Sequence, residues 1–305
     1  MSYALLFPGQ GTQHAAMLPW LDAQPAARTT LAGMAGLIGA DWRERLADPA
    51  AAADNRFAQL LLTGVGIGAW QCLSGALPQP AAIAGYSVGE MAAFCAAGVL
   101  DGPTALLLAA DRADAMQASG AGLATGLMAV QGPDGEAIAR LCRRRGLAVS
   151  IRIAADRAVL GGPDDALDAA QAELEASGAR CTRLAVRVAS HTPWMAQAAA
   201  AFGARLAGIA FAPPRTVLVC NAVGAALRRP PDLARALADQ IAITVPWDRC
   251  QDAVAERRVR CVLEVGPGTT LSRLWNERHP GIPARSVDEF RSPEAIVRWV
   301  RAASE

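Results

Sequence analysis

Four short stretches of this chain are apolar almost without interruption: residues 3–8 (YALLFP), 81–86 (AAIAGY), 216–222 (TVLVCNA) and 261–265 (CVLEV). Runs this short, each followed closely or at some distance by a helical pattern, predict buried strands. Residues 89–98 carry such a helical pattern directly after the second run. Uniformly apolar strands alternating with helices predict an α/β fold whose large domain has a short parallel sheet flanked by helices on both faces. The middle of the chain reads differently. LMAVQ (127–131) is strand-like, residues 134–145 place Ile138, Leu141 and Cys142 on one side of a helix, and AVSIRIA (148–154) alternates with period two. RAVLGG (157–162) follows after a tight turn. An amphipathic helix over 163–178 opens on proline and acids and closes on glycine, and a last strand covers 180–186. This β-α-β-β-α-β order predicts an inserted ferredoxin-like small domain over 123–188, with the large domain formed by 1–122 and 189–305.

One stretch calls for a membrane test. From Phe57 to Gly89 there is no charged residue, and about 20 apolar residues cross a bilayer. Gln59, Gln71, Gln79, Pro78 and Pro80 interrupt the run, so it is read as a buried helix followed by a buried strand rather than a membrane span. Composition narrows the picture further. With 305 residues, 52% of them apolar, the chain can bury a large core, and its net charge of +1 gives no electrostatic reason to expect nucleic acid. All 29 basic residues are arginines, which excludes a Schiff-base lysine and a P-loop lysine. The seven cysteines are scattered without a CxxC pair. That pattern suits reduced, mostly buried thiols and no metal site. MSYALLFPGQG has no basic segment before its short apolar run, so a soluble cytoplasmic protein is expected.

The chemistry centres on Gly85-Tyr86-Ser87-Val88-Gly89. In G-x-S-x-G the serine sits on a sharp strand-to-helix turn, its hydroxyl projects above the sheet, and the following amide, here of Val88, faces a developing oxyanion. The alternative is a pair of glycines that merely ease strand–helix packing. A serine nucleophile needs a base, and the chain has only His14, His191 and His279. His279 lies in NERHPG, read as an exposed helix end. His14 follows the loop GQGTQ. His191 follows RLAVRVAS, read as a strand, and precedes TPWM, read as a helix start with Thr192 as cap. By elimination and position His191 is the favoured base, with a structural histidine as the alternative. Arg112 lies on a mostly apolar helix, where an unpaired guanidinium is costly. It either pairs with Asp111, Asp114 or another acid, or clamps a substrate carboxylate. GVGIG (64–68) follows no strand and does not fit a dinucleotide fingerprint. EVGPGTTL (264–271) is strand–turn–helix, and RRRG (143–146) is read as a solvated helix end.

Four segments, FPGQGTQ (7–13), GYSVGE (85–90), SHTP (190–193) and EVGPG (264–268), taken in order, resemble the bacterial malonyl-CoA:acyl carrier protein transacylases and the acyltransferase domains of polyketide and fatty acid synthases. The resemblance covers nearly the whole chain. It implies Ser87 as nucleophile and His191 as general base, Arg112 as partner of the malonyl carboxylate, and the amides of Gln10 and Val88 as oxyanion hole. It also implies that Gln240 lies in the substrate region near the histidine, with a backbone carbonyl there orienting the imidazole. Tyr86 stands where the family usually has histidine and is expected on the pocket wall. The glycine–tyrosine–serine form and PARSVDEF (283–290) resemble the malonate decarboxylase epsilon subunit, which implies priming of that enzyme's carrier subunit. The implied partners are malonyl-CoA and an acyl carrier protein, with no nucleic acid, membrane, metal or cofactor. Transfer to a fatty acid or polyketide carrier, a serine thioesterase or esterase, and an inactive docking subunit are the alternatives.

Overall fold

The computed structural model describes all residues, 1–305. Eleven strands form two sheets: β1 (Tyr3–Phe7), β2 (Ala82–Gly85), β3 (Thr125–Gln131), β4 (Ala148–Ala154), β5 (Arg157–Pro163), β6 (Arg180–Arg183), β7 (Val217–Cys220), β8 (Ala225–Leu227), β9 (Val245–Pro246), β10 (Cys261–Glu264) and β11 (Ala284–Ser286). The larger sheet has the order β11-β10-β1-β2-β7-β8. Its first five strands are parallel, and β8 is an antiparallel edge paired with β7. The four strands expected from apolar runs are its centre. The two edges escape sequence reading because β8 and β11 are only three residues long, β8 being partly exposed and β11 two-thirds polar. The sheet is therefore mixed rather than wholly parallel.

The pleat sorts the core. Tyr3, Leu5, Phe7, Ile83, Leu218 and Leu263 point into one hydrophobic cluster, beneath the Asn55–Ser74, Gly89–Ala96 and Gly102–Gly120 helices. Ala4, Leu6, Ala84, Val219 and Val262 point to the opposite face, against Trp247 and Trp275 of the Trp247–Ala255 and Thr270–Arg278 helices. Coverage of both faces explains why the strands are apolar at nearly every position. The Asn55–Ser74 helix is long and apolar enough to cross a membrane by composition, but it is 78% buried inside the protein. Its glycines admit neighbours: a β-carbon at Gly64 would sit 2.6 Å from Met34 Sδ. GVGIG is thus a helix-packing surface.

The second sheet has the order β6-β3-β5-β4-β9. β3 to β6, with the Gly135–Arg145 and Asp164–Ala176 helices between them, follow one another as β-α-β-β-α-β. Met128, Val130 and Leu160 face those two helices, whereas Leu127, Ile151 and Val159 face the larger sheet's Trp-bearing side. A fifth strand, β9, comes from beyond residue 189 and pairs in parallel with β4, so the sheet crosses the boundary expected at residue 188. β6 ends at Arg183, not at residue 186. It pairs only with β3, and residues 184–190 leave the sheet as irregular chain.

Candidate active site

The carboxyl ends of β1, β2 and β7 lie side by side, which is where open α/β sheets assemble sites. β2 runs through Gly85 and Tyr86 into Ser87, and the Gly89–Ala96 helix starts immediately. The turn is as sharp as the pentapeptide predicts. A β-carbon at Gly85 would lie 2.2 Å from the Gly89 carbonyl carbon, and one at Gly89 would lie 2.2 Å from the Phe7 oxygen. Both contacts are with backbone, so only glycine fits. Ser87 itself sits at φ 55°. The loop after β1 lies against this turn: a β-carbon at Gly9 would meet the Tyr86 oxygen at 2.7 Å and Ser87 Cβ at 3.6 Å.

His191 also has positive φ, 61°. It stands on irregular chain rather than at a strand end, and its main-chain N–H donates to the Ile241 carbonyl at 2.7 Å. The segment after it is a short 3-10 helix, Pro193–Met195. Thr192 does not cap that helix; its hydroxyl donates back to the Ala189 carbonyl. The ring is 1% exposed. Nδ1 lies 2.5 Å from the Gln240 carbonyl, and Nε2 lies 2.8 Å from Ser87 Oγ. A carbonyl only accepts, so Nδ1 carries the proton and Nε2 offers its lone pair to the serine hydroxyl. The Gln240 side chain is wholly buried, and Gln240 is absent from the cavity wall. It backs the imidazole through its carbonyl.

Burial pushes His191 down to about 3, the nearby Arg112 charge adds to the effect, and the Gln240 carbonyl opposes it. Lowering keeps the ring neutral, and so able to accept a proton, as pH falls below the ordinary histidine range. The rate of Ser87 acylation is therefore expected to vary less than about threefold between about pH 7.5 and about pH 5. A rapid-quench pH profile checks this; a loss centred near the ordinary histidine value would contradict it.

Arg112 is 1% exposed and pairs with neither Asp111 nor Asp114, which bind Arg205 and Arg56. Nη1 donates to Gln59 Oε1 at 2.6 Å, Nη2 reaches Ser87 Oγ at 3.4 Å, and Nε has no partner. Burial pushes the guanidinium down to about 10, with buried Glu90 opposing, so it stays charged at neutral pH. A cavity of about 300 Å³ is lined by Ser87, His191, Arg112, Tyr86 and Gln10. Its apolar wall comes from Leu127, Ile151 and Val159 of the second sheet, with Leu271 and Leu274 opposite. The Tyr86 ring packs edge-on against Trp247 with centroids 5.0 Å apart, and burial raises its phenol well above the ordinary value. The amides of Gln10 and Val88 donate to no group of the protein. One fully buried cation, one neutral imidazole and one hydroxyl thus share a small chamber suited to acyl transfer from an acid-bearing ester or thioester.

The family model for the acyl transferase domain matches residues 4–277. The chain belongs to the acyl transferase domain family. Over 292 residues it is 34% identical to the malonyl CoA-acyl carrier protein transacylase of Mycobacterium tuberculosis, covering 93% of this chain and 95% of that one. The transacylase of the same name from Escherichia coli K12 is 32% identical over 299 residues, covering 94% and 96%. The crystal structure of malonyl-CoA:acyl carrier protein transacylase from Xanthomonas oryzae superimposes with a TM-score of 0.91 at 29% identity over the whole of both chains.

Other residues of this acyltransferase fold away from the expected roles or close an open question. His279 is not a solvated residue: just past the end of the Thr270–Arg278 helix, its ring lies 4.6 Å from that of Trp275, tilted by 43°, and its side chain is only 19% exposed. His14 binds Asp288 at 2.7 Å. Asp288, inside PARSVDEF, also accepts the amides of Leu18 and Gly268, so this segment ties the two glycine loops together. The start of the Thr270–Arg278 helix is already occupied by the Glu264 carboxylate, which accepts from Leu271 and Ser272 and leaves no place for a phosphate. Arg144 and Arg145 at the end of the Gly135–Arg145 helix pair with Glu173. Sequence reasoning overlooked Gln59, Glu90 and Asn221. Glu90 left one signal, as the first charge after an uncharged stretch beginning at Phe57; Asn221, closing an apolar strand, left little.

Proposed function

We propose that this chain moves a malonyl group from malonyl-CoA, through an ester on Ser87, to the thiol of an acyl carrier protein. The Ser87–His191–Arg112 constellation carries this reading. His191 Nε2 takes the hydroxyl proton as Ser87 Oγ attacks the thioester carbonyl. The amides of Gln10 and Val88 receive the oxyanion. The C–S bond then breaks, and the CoA sulfur leaves with the proton from His191. In the second half the carrier thiol gives its proton to His191, its sulfur attacks the malonyl-serine ester, and Ser87 Oγ leaves and regains a proton. Arg112 holds the free malonyl carboxylate as a two-pronged ion pair. CoA enters as part of the substrate, and the steps draw only on groups of this chain.

The finer reading is that the acceptor is the carrier subunit of a malonate decarboxylase, in the cytoplasm. It rests on Tyr86 and on residues 283–290. A second architectural reading, that 123–188 is a ferredoxin-like insertion between 1–122 and 189–305, is supported by the β-α-β-β-α-β succession and the inner strand order β6-β3-β5-β4. Intact-mass spectrometry after mixing with malonyl-CoA tests the reaction. A malonyl adduct confined to Ser87 is expected, discharged at least about tenfold faster by a purified holo-carrier than by water. An adduct that water removes as fast as any carrier would instead identify a hydrolase, and comparing carriers separates the decarboxylase reading from the fatty acid and polyketide ones.

A further inference from the structure

Ser87 holds a left-handed backbone conformation, which is strained for a residue with a β-carbon and persists only where the surroundings impose it. The surroundings that impose it are specific. Asn221 follows β7, the neighbour of β2 in the sheet. Its Oδ1 accepts the Ser87 N–H at 2.8 Å, and its Nδ2 donates to the Gly85 carbonyl at 2.5 Å. One side-chain amide therefore grips the serine turn on both sides of Tyr86. Asn221 is in turn held: its main-chain N–H donates to Glu90 Oε1 at 2.7 Å. Glu90 lies in the first turn of the helix that Ser87 begins, and its own N–H donates to the Ser87 carbonyl at 3.1 Å. The contacts form a closed circuit from Ser87 through Glu90 and Asn221 back to Ser87. Both residues are fully buried and neither lines the cavity.

We propose that Asn221, anchored by Glu90, is a positioning residue that sets the direction in which Ser87 Oγ faces the acyl carbonyl and His191. The proposal rests on Ser87 being the nucleophile. Reacting atoms must meet within a narrow range of distance and angle, and a displacement of about 1 Å costs about 10²-fold in rate. Without the asparagine amide, the Ser87 N–H and the Gly85 carbonyl lose their partners and the strained turn loses its restraint. The second oxygen of Glu90 has no partner, and burial pushes the carboxyl up to about 8 against the opposing influence of the Asn221 amide and Arg112. At neutral pH the neutral acid prevails, so glutamine is its close mimic and should keep the Asn221 contact.

The test uses the full chain with two probes of Ser87. One is single-turnover acylation by malonyl-CoA. The other is a small alkyl fluorophosphonate, in which Oγ bonds to phosphorus and fluoride leaves, with no thioester or carboxylate to recognise. Asn221→Ala is expected to slow both reactions by about 10²-fold, with KM for malonyl-CoA changed less than about threefold. Glu90→Ala should slow both by about tenfold, and the conservative Glu90→Gln should restore most of that loss. The proposal is overturned if Asn221→Ala reacts with both probes within about threefold of the parent, if its loss lies in KM alone, or if Glu90→Gln is as slow as Glu90→Ala. Should Asn221→Ala lose its cooperative melting transition, the Glu90 pair decides the matter. A parent that reacts with the fluorophosphonate but never with malonyl-CoA would remove the malonyl reading and leave the positioning role standing.

Discussion

Ser87→Ala should reduce malonyl transfer to a carrier by about 10⁴–10⁶-fold and abolish the malonyl adduct altogether, because no other oxygen in the cavity sits 2.8 Å from a neutral imidazole. His191→Ala should cost a similar factor. Nucleophile and base act as one unit, so the double variant should be about as slow as either single one. Folding should survive, since alanine takes the same space and the Ser87 N–H keeps its Asn221 partner. Melting temperature, adduct mass and steady-state transfer can be measured on one set of preparations. Transfer that persists in Ser87→Ala, or an adduct that moves to another residue, would refute the assignment of the nucleophile.

The second large effect concerns selectivity. Arg112 is buried with one nitrogen on Gln59 and one near Ser87 Oγ, while Nε is unpartnered. An ionised malonyl carboxylate entering this chamber without the guanidinium would be an unpaired buried charge, a loss of about 3–5 kcal/mol. That corresponds to a fall of roughly 10²–10⁴-fold in kcat/KM for malonyl-CoA in Arg112→Gln. Acetyl-CoA has no such carboxylate, so its turnover should change by less than about tenfold, and the preference for malonyl should collapse. Glu90 would lose its nearby cation, but burial already favours its neutral form, so the variant should fold. An unchanged ratio of malonyl to acetyl turnover would show that the arginine serves the structure and not the acyl group.

The limits of sequence reading follow from the range of each interaction. Whatever is local was written into the order of residues. The four central strands could be read because both sheet faces are covered, so nearly every position is apolar. The serine turn could be read because Gly85 and Gly89 lie against backbone where no side chain fits. Some helix starts are also set locally, by side chains that cap their own turns, as Asp101 and Asp134 do. Elimination and position made His191 a candidate, an arginine on an apolar helix made Arg112 one, and the family motifs implied their roles without giving the contacts that hold them.

Contacts across the chain were decided only in three dimensions. The strand expected to lead into His191 stops at Arg183, because β6 has a partner on one side only. The proton on His191 is assigned by the carbonyl of Gln240; a carbonyl is the same in every residue, so only the family resemblance, and no property of residue 240 itself, pointed to it. Arg112, on a mostly apolar helix, left two readings open from its surroundings, an ion pair with Asp111, Asp114 or another acid, or a clamp for a substrate carboxylate. Packing turned it inward, onto Gln59 and the nucleophile, and gave those acids other arginines. Asn221, 134 positions after Ser87 in the chain, meets that residue only because β7 and β2 are neighbours in the sheet. Local propensity and steric limits act over a few residues and leave their mark in the chain order. Burial, charge state and the aim of a side chain depend on which distant segments close around it, and only the folded chain settles that.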